Sequence, residues 1–223
     1  MALIQRAYLN FAEGHIHVWP PEMSIEGGPA WINSGSYQIE ASAEGTQTWG
    51  ALNGPMLQAL LEDRFKLRVH REIREIPVYA LTMARGGPKL RPFRKGSCAP
   101  LDLETQPAAP EPGQPDPLLC GMSEVTPTGY KLYGTTMADF ATEFSSRLDR
   151  PVIDKTGLAG MFNIDLDLSP SELHPDNSAA VPDPFSVINA VRAAVRKVGL
   201  NLESTKGPGN FLVVDSVERP SEN

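Results

Sequence analysis

Hydrophobic and polar positions alternate most regularly between Gly54 and Leu90. Met56, Leu57, Leu60, Leu61 and Phe65 recur at helical spacing, with Asn53 as the expected N-cap and Pro55 in the first turn, where no donor is lost. The period then becomes two. Phe65, Leu67 and Val69 alternate with Lys66, Arg68 and His70, predicting a strand with one dry face. A polar stretch follows, then Pro77–Met83 as a returning strand stopped by Gly86, Gly87 and Pro88. The pattern predicts a helix followed by a β-hairpin. Upstream, Leu3, Ile4, Ala7 and Tyr8 predict a helix over 1–9, residues 10–30 read as irregular, and Tyr37–Ala41 reads as a short strand.

The second half repeats these signals. A strand is expected around Tyr130–Tyr133. Thr136 and Asp139 have capping-box spacing before Met137, Phe140, Ala141, Phe144 and Leu148, an amphipathic helix that ends at Pro151. Phe162, Ile164, Leu166 and Leu168 alternate with polar residues. Asp183 and Pro184 begin a last helix whose stripe is Phe185, Ile188, Val191, Val195 and Val198. Leu200 and Leu202 start a strand, Lys206–Gly209 reads as its turn, and Phe211–Val217 as its return. At a constant offset of 133, Phe65, Leu67 and Val69 fall on Val198, Leu200 and Leu202, and Val78–Leu81 on Phe211–Val214. The expected fold is α+β, with repeated helix–β-hairpin units forming two similar halves, 1–96 and 128–223, joined by a Pro-rich segment over 97–127.

That segment contains Pro100, Pro107, Pro110, Pro112, Pro115 and Pro117 and lies between Cys98 and Cys120. The two cysteines suit a disulfide in an oxidising compartment, the alternative being two free thiols. The net charge is −7, unevenly spread: residues 1–96 hold 11 Lys and Arg against 9 Asp and Glu, and the remainder 9 against 18. The basic residues of Arg64–Lys95 fall on the wet face of a strand. They lack the interleaved aromatics, zinc spacing or phosphate loop of a nucleic-acid site, which argues against a nucleic-acid partner. No apolar run is long enough for a transmembrane helix, and the first residues do not read as a signal peptide.

Five stretches carry a family resemblance: GGPAW (27–31), MLQALLEDRFKLRVHREIREIPVYAL (56–81), GGPKL (86–90), DRPVIDKTGLAGMFNIDLDL (149–168) and VVDSVERPSEN (213–223). In these the chain resembles the paralogous, Solibacter-type family of secreted acidobacterial proteins of unknown function. The resemblance implies export to a secreted or periplasmic location, an upstream signal and strand that this chain lacks, and pairing of Cys98 with Cys120. An edge left by a lost strand would favour a homodimer. The helix–hairpin units also resemble the small αβ modules of secretin and TonB-receptor N-terminal regions. The family supplies no activity or catalytic residues.

Candidate chemistry is sparse. His15 and His17 share a side of an extended segment, spacing that suits two zinc ligands. Asp165 and Asp167 share a strand face ahead of an oxygen-rich loop and are candidates for calcium. Either divalent metal would be the cofactor of a hydrolase acting on esters or lactones, with His174 and Asp176 as base and orienting carboxylate. Standard nucleophile motifs are absent. Trp19 and Trp31 are candidates for lining a small-molecule pocket. The leading reading is a secreted or envelope-associated binding module for a small molecule or an envelope protein, and the hydrolase is the alternative.

Overall fold

The computed structural model describes residues 1–12, 23–99, 118–127, 129–169, 172 and 184–220, with only the backbone of 184 and 185. Its elements in chain order are α1 (Ala2–Gln5), which continues as a π-helical turn over Arg6–Asn10, β1 (Met23–Gly27), α2 (Trp31–Ser34), α3 (Trp49–Asn53), α4 (Pro55–Arg64), β2 (Arg68–Met83), β3 (Arg91–Pro92), β4 (Ser123–Thr126), β5 (Gly129–Thr135), α5 (Met137–Ser145), β6 (Val152–Asp154), β7 (Phe162–Leu166), α6 (Pro184–Lys197) and β8 (Leu200–Ser216). The strands form two sheets, ordered β1-β8-β2-β6 and β3-β7-β5-β4. An α+β fold with mixed sheets is therefore observed.

The hairpins expected on either side of the polar stretches are absent. β2 is one continuous strand of 16 residues and β8 one of 17. The polar stretch of β2 contains no glycine, and it stays extended. In β8, Gly207 and Gly209 are not turn residues, since neither has a positive φ. Gly207 instead answers a packing demand: a Cβ there would lie 2.9 Å from Val78 Cγ2 and 2.9 Å from Ile153 Cδ1.

Both long strands start from the same kind of reversal. α4 closes with the Phe65 amide donating to the Leu61 carbonyl, and Lys66 at φ 50° turns the chain into β2. After α6, Gly199 does the same at φ 81°. Here only glycine fits, because a Cβ would fall 2.2 Å from the Gly87 carbonyl oxygen.

By its internal packing the chain divides into two compact units, with boundaries within β2 and β8. The first unit holds the described residues of 1–74 and 209–220. β1 pairs in parallel with the end of β8, Met23 opposite Asn210 and Gly27 opposite Val214. α1 and α4 pack on this sheet through Ile4, Ala7, Leu61, Phe65, Leu67, Leu212 and Val214. Each of these larger apolar side chains, Ala7 apart, contributes about 1.5–3 kcal/mol on full burial. The opposite sheet face carries charge. His70 Nδ1 lies 2.9 Å from Asp215 Oδ1, and Arg74 bonds Glu26 and Glu72 while stacking 4.4 Å from the centre of Phe211.

The second unit holds the described residues of 75–99 and 118–208. Its core is Tyr130, Leu132, Phe140, Phe144, Ile164, Leu166, Val191, Val195 and Leu200, with the apolar stripes of α5 and α6 supplying the helical side. The Thr136 side chain caps α5 as the spacing implied: Oγ1 accepts from the Asp139 amide at 3.1 Å and donates to its carboxylate at 2.6 Å. β6 pairs in parallel with the end of β2, Val152 opposite Tyr79. Cys98 and Cys120 form a disulfide, Cα atoms 5.0 Å apart, against Gly134 of β5.

Three further expectations differ from the structure. Tyr37–Ala41 is not a strand, since no neighbouring strand among the described residues bonds to it, and the true strand, β1, lies in the stretch read as irregular. Asn53 does not cap α4. It ends α3, where its Nδ2 donates to the Trp49 carbonyl and its Oδ1 accepts from Arg6, and Gly54 takes the cap position. Ser123–Thr126, expected in the linker, pairs with β5 as β4. The Asp183 cap lies outside the described residues.

Candidate ligand pocket

The GGPAW stretch builds one wall of a pocket in the first unit. β1 ends at Gly27 (φ 80°), and Gly28 (φ 72°) turns the chain into α2. Neither position has room for a side chain: a Cβ on Gly27 would meet the Val214 carbonyl oxygen at 2.7 Å, and one on Gly28 would meet Ile32 Cδ1 at 2.8 Å. The turn directs Ile32 into the core, 6% exposed, and sets Trp31 at the surface of the core cluster. Gly35 then bonds back to the Trp31 carbonyl at 2.7 Å and lets Tyr37 lie close, with its Cε2 3.3 Å from where a Cβ on Gly35 would be.

Trp31, Tyr37 and Phe65 form an edge-to-face series. Ring centres are 6.2 Å apart for Trp31 and Tyr37 and 5.2 Å for Tyr37 and Phe65, with interplanar angles of 73° and 88°. Such pairs contribute about 0.5–1.5 kcal/mol beyond their buried area, which fixes the rings relative to one another. With Leu3, Ile4, Leu61, Leu67 and Val217 they enclose a pocket of ≈ 280 Å³. Ser36 and Tyr37 bring the hydroxyl groups to its lining, and the Arg219 guanidinium stacks 5.1 Å from the Trp31 ring centre. An apolar cavity with few polar groups suits a small molecule that is itself largely apolar.

A second cluster of chemically capable groups is closed. Glu143 of α5 is fully buried. Its Oε1 accepts from the Tyr130 hydroxyl and from Arg147, whose Nη2 lies 2.8 Å away, while its Oε2 has no hydrogen-bond partner among the described residues. Burial, reinforced by the bond to Glu143, pushes the Tyr130 phenol up to about 12. Arg147 also donates to the Tyr130 oxygen at 3.0 Å and stacks on its ring. The cluster ties α5 to β5.

Of the sequence-derived candidates, Trp31 lines the pocket. Asp165 stands opposite Lys131 in the β5–β7 ladder, and Asp167 is paired with Lys197 Nζ at 2.5 Å. Among the described residues no three His, Cys, Asp or Glu side chains gather as a metal site. His15, His17, Trp19, His174 and Asp176 lie outside the described residues. The sequence reading missed Tyr37 and Phe65 as pocket residues, and Arg219 as the neighbour stacked over Trp31. It also missed the His70–Asp215 pair, which lies on the open sheet face, since His70 alternates with the core-facing Leu67 and Val69.

The GGPAW stretch that walls the pocket lies within a recognisable family pattern. A model of a protein family of unknown function, DUF3738, matches residues 9–217. This chain belongs to the DUF3738 family. No curated protein and no solved structure matches it. The DUF3738 match spans both units and covers the buried Tyr130–Glu143–Arg147 cluster and the pocket residues from Trp31 to Val217, while Leu3 and Ile4 of the pocket precede it. The expected membership in a family of unknown function is thereby established. No helix among the described residues is long and apolar enough to cross a membrane.

Proposed function

We propose that this DUF3738 chain is a secreted or envelope-associated binding module whose first unit holds a small, largely apolar ligand. The observation that carries the reading is the pocket walled by Trp31, Tyr37 and Phe65. Three aromatic walls over an aliphatic floor offer a large apolar contact area at little cost in side-chain entropy. The Cys98–Cys120 disulfide supports export, since such bonds persist in oxidising compartments. The similar sequence spacing of α4–β2 and α6–β8 supports an internal duplication, of which the first unit carries the binding site.

Titration with N-phenyl-1-naphthylamine, a neutral dye that brightens in apolar surroundings, tests the reading. The expected result is saturable binding of one equivalent, lost in Ser36→Trp, which fills the pocket from an exposed position without disturbing the core. Equal binding by Ser36→Trp, or no binding by the wild-type chain, overturns it.

A further inference from the structure

The pocket does not stand alone. A second cavity of ≈ 410 Å³ adjoins it, and the two share Tyr37 and Phe65 in their linings. Their chemistry differs. The first is enclosed mostly by aliphatic and aromatic carbon, whereas the second brings Gln38, Glu40, Ser42 and Arg64 to its walls. An apolar compartment opening beside a polar one matches a ligand with an apolar body and a polar head, because burial of the head in the first would cost its hydration.

The charges indicate the sign of that head. Arg219 lies over the Trp31 ring and has no carboxylate within ion-pair distance among the described residues. Among the described residues Arg64 has only its sequence neighbour Asp63, 3.5 Å away, in a pair exposed on both sides, which is worth little and leaves the guanidinium available. The one carboxylate lining the second cavity, Glu40, already accepts from the Gln38 amide at 3.0 Å. With Asp63 and its second partner Lys66, 3.8 Å away, included, the local charges are three cations, Arg64, Lys66 and Arg219, to two anions, Asp63 and Glu40. Guanidinium forks suit carboxylate and sulfonate oxygens, and pairing there leaves the apolar body free to enter between Trp31 and Phe65.

We propose that the two cavities form one bipartite site for a monoanionic amphiphile, an aryl or alkyl carboxylate or sulfonate, with Arg64 in the lining of the second cavity holding the head and Arg219, stacked over Trp31, adding a second positive charge beside it. Tyr37 is the wall between head and body and belongs to a segment, 35–43, without regular secondary structure. This inference rests on the proposed binding function and adds the ligand class.

Two dyes with the same ring system separate the two proposals. 8-Anilinonaphthalene-1-sulfonate carries the anion, and N-phenyl-1-naphthylamine lacks it. The intact folded chain is expected to bind the sulfonate at least about tenfold more tightly, as a charged hydrogen bond contributes. That preference should collapse in the double variant Arg64→Ala/Arg219→Ala, whose thermal midpoint should be unchanged because both side chains are exposed. Added salt should weaken the sulfonate alone. Displacement of the sulfonate dye by decanoate or by 1-naphthoate then tells an alkyl from an aryl body. If both dyes bind equally and the arginine variant shifts neither, the anion inference is overturned while the pocket reading stands. If neither dye binds, both fall.

Discussion

Gly207 and Val78 are packed so closely that a single added methyl group has no place. A Cβ at Gly207 would lie 2.9 Å from Val78 Cγ2, well inside ordinary van der Waals contact, with Ile153 Cδ1 equally near on β6. The glycine that the sequence offered as a turn signal is instead what lets β8 lie flat against its neighbour.

Gly207→Ala should therefore destabilise the chain by about 1–3 kcal/mol, the usual cost of overpacking. Val78→Ala in the same chain should recover part of the loss, since it removes one of the two obstructing methyls. Urea denaturation of the two single variants and the double variant checks this through the coupling between them. A loss that is additive would contradict the packing account.

Tyr130→Phe removes a donor from a carboxylate that is fully buried and whose other oxygen has no hydrogen-bond partner among the described residues. The expected cost is about 1–3 kcal/mol, the penalty of a buried acceptor losing its partner. Glu143→Leu should cost less than Glu143→Ala, because the leucine refills the volume while both remove the carboxylate that Arg147 bonds. Chemical denaturation in which the alanine variant proved as stable as the parent would remove the cluster from the account.

Titration should narrow stability from both sides. The Asp149 carboxyl is held below the usual carboxylate range, first by its hydrogen bonds from Arg150 and next by that from Tyr79. Its folded value lies under its unfolded one of about 4, so its contribution is complete above that pH and is lost as pH falls through the folded value. Tyr130 runs the other way. Its folded value of about 12 exceeds the unfolded value near 10, so its contribution is complete below about 10 and drains as pH rises from there. Thermal midpoints measured from pH 2 to pH 12 should fall at both ends. Tyr130→Phe should flatten the alkaline limb, and Asp149→Asn the acid one.

Local patterning was read well where one element carries its own signal. The cap of α5 needs only Thr136 and Asp139, and the stripe Met137, Phe140, Ala141, Phe144 lies within nine residues, so period and cap together define the helix. β7 was equally plain, since Ile164 and Leu166 alternate with Asp165. The long strands were misread because Arg71–Glu75 is mostly charged and Lys206–Gly209 has the composition of a turn. Both strands are extended because they lie side by side in one sheet, β8 next to β2, with β1 and β6 on their outer edges, and pairing partners are not written in either strand. β6 is only three residues long, too short for alternation to show. The pocket was legible only in Trp31. Tyr37 looked like a strand residue, Phe65 like the end of a helical stripe and Arg219 like part of a tail. Only the fold brings 31, 37, 65 and 219 together, and no local period can encode that.

The central claim is that the first unit, and not the second, receives an apolar ligand. Methyl-resolved NMR of the chain titrated with N-phenyl-1-naphthylamine measures this directly. The account predicts shifts for the methyls of Leu3, Ile4, Leu61, Leu67 and Val217, with those of Leu132, Ile164, Leu166 and Val195 unmoved. Shifts confined to the second group, or no shifts at saturating dye, would contradict it.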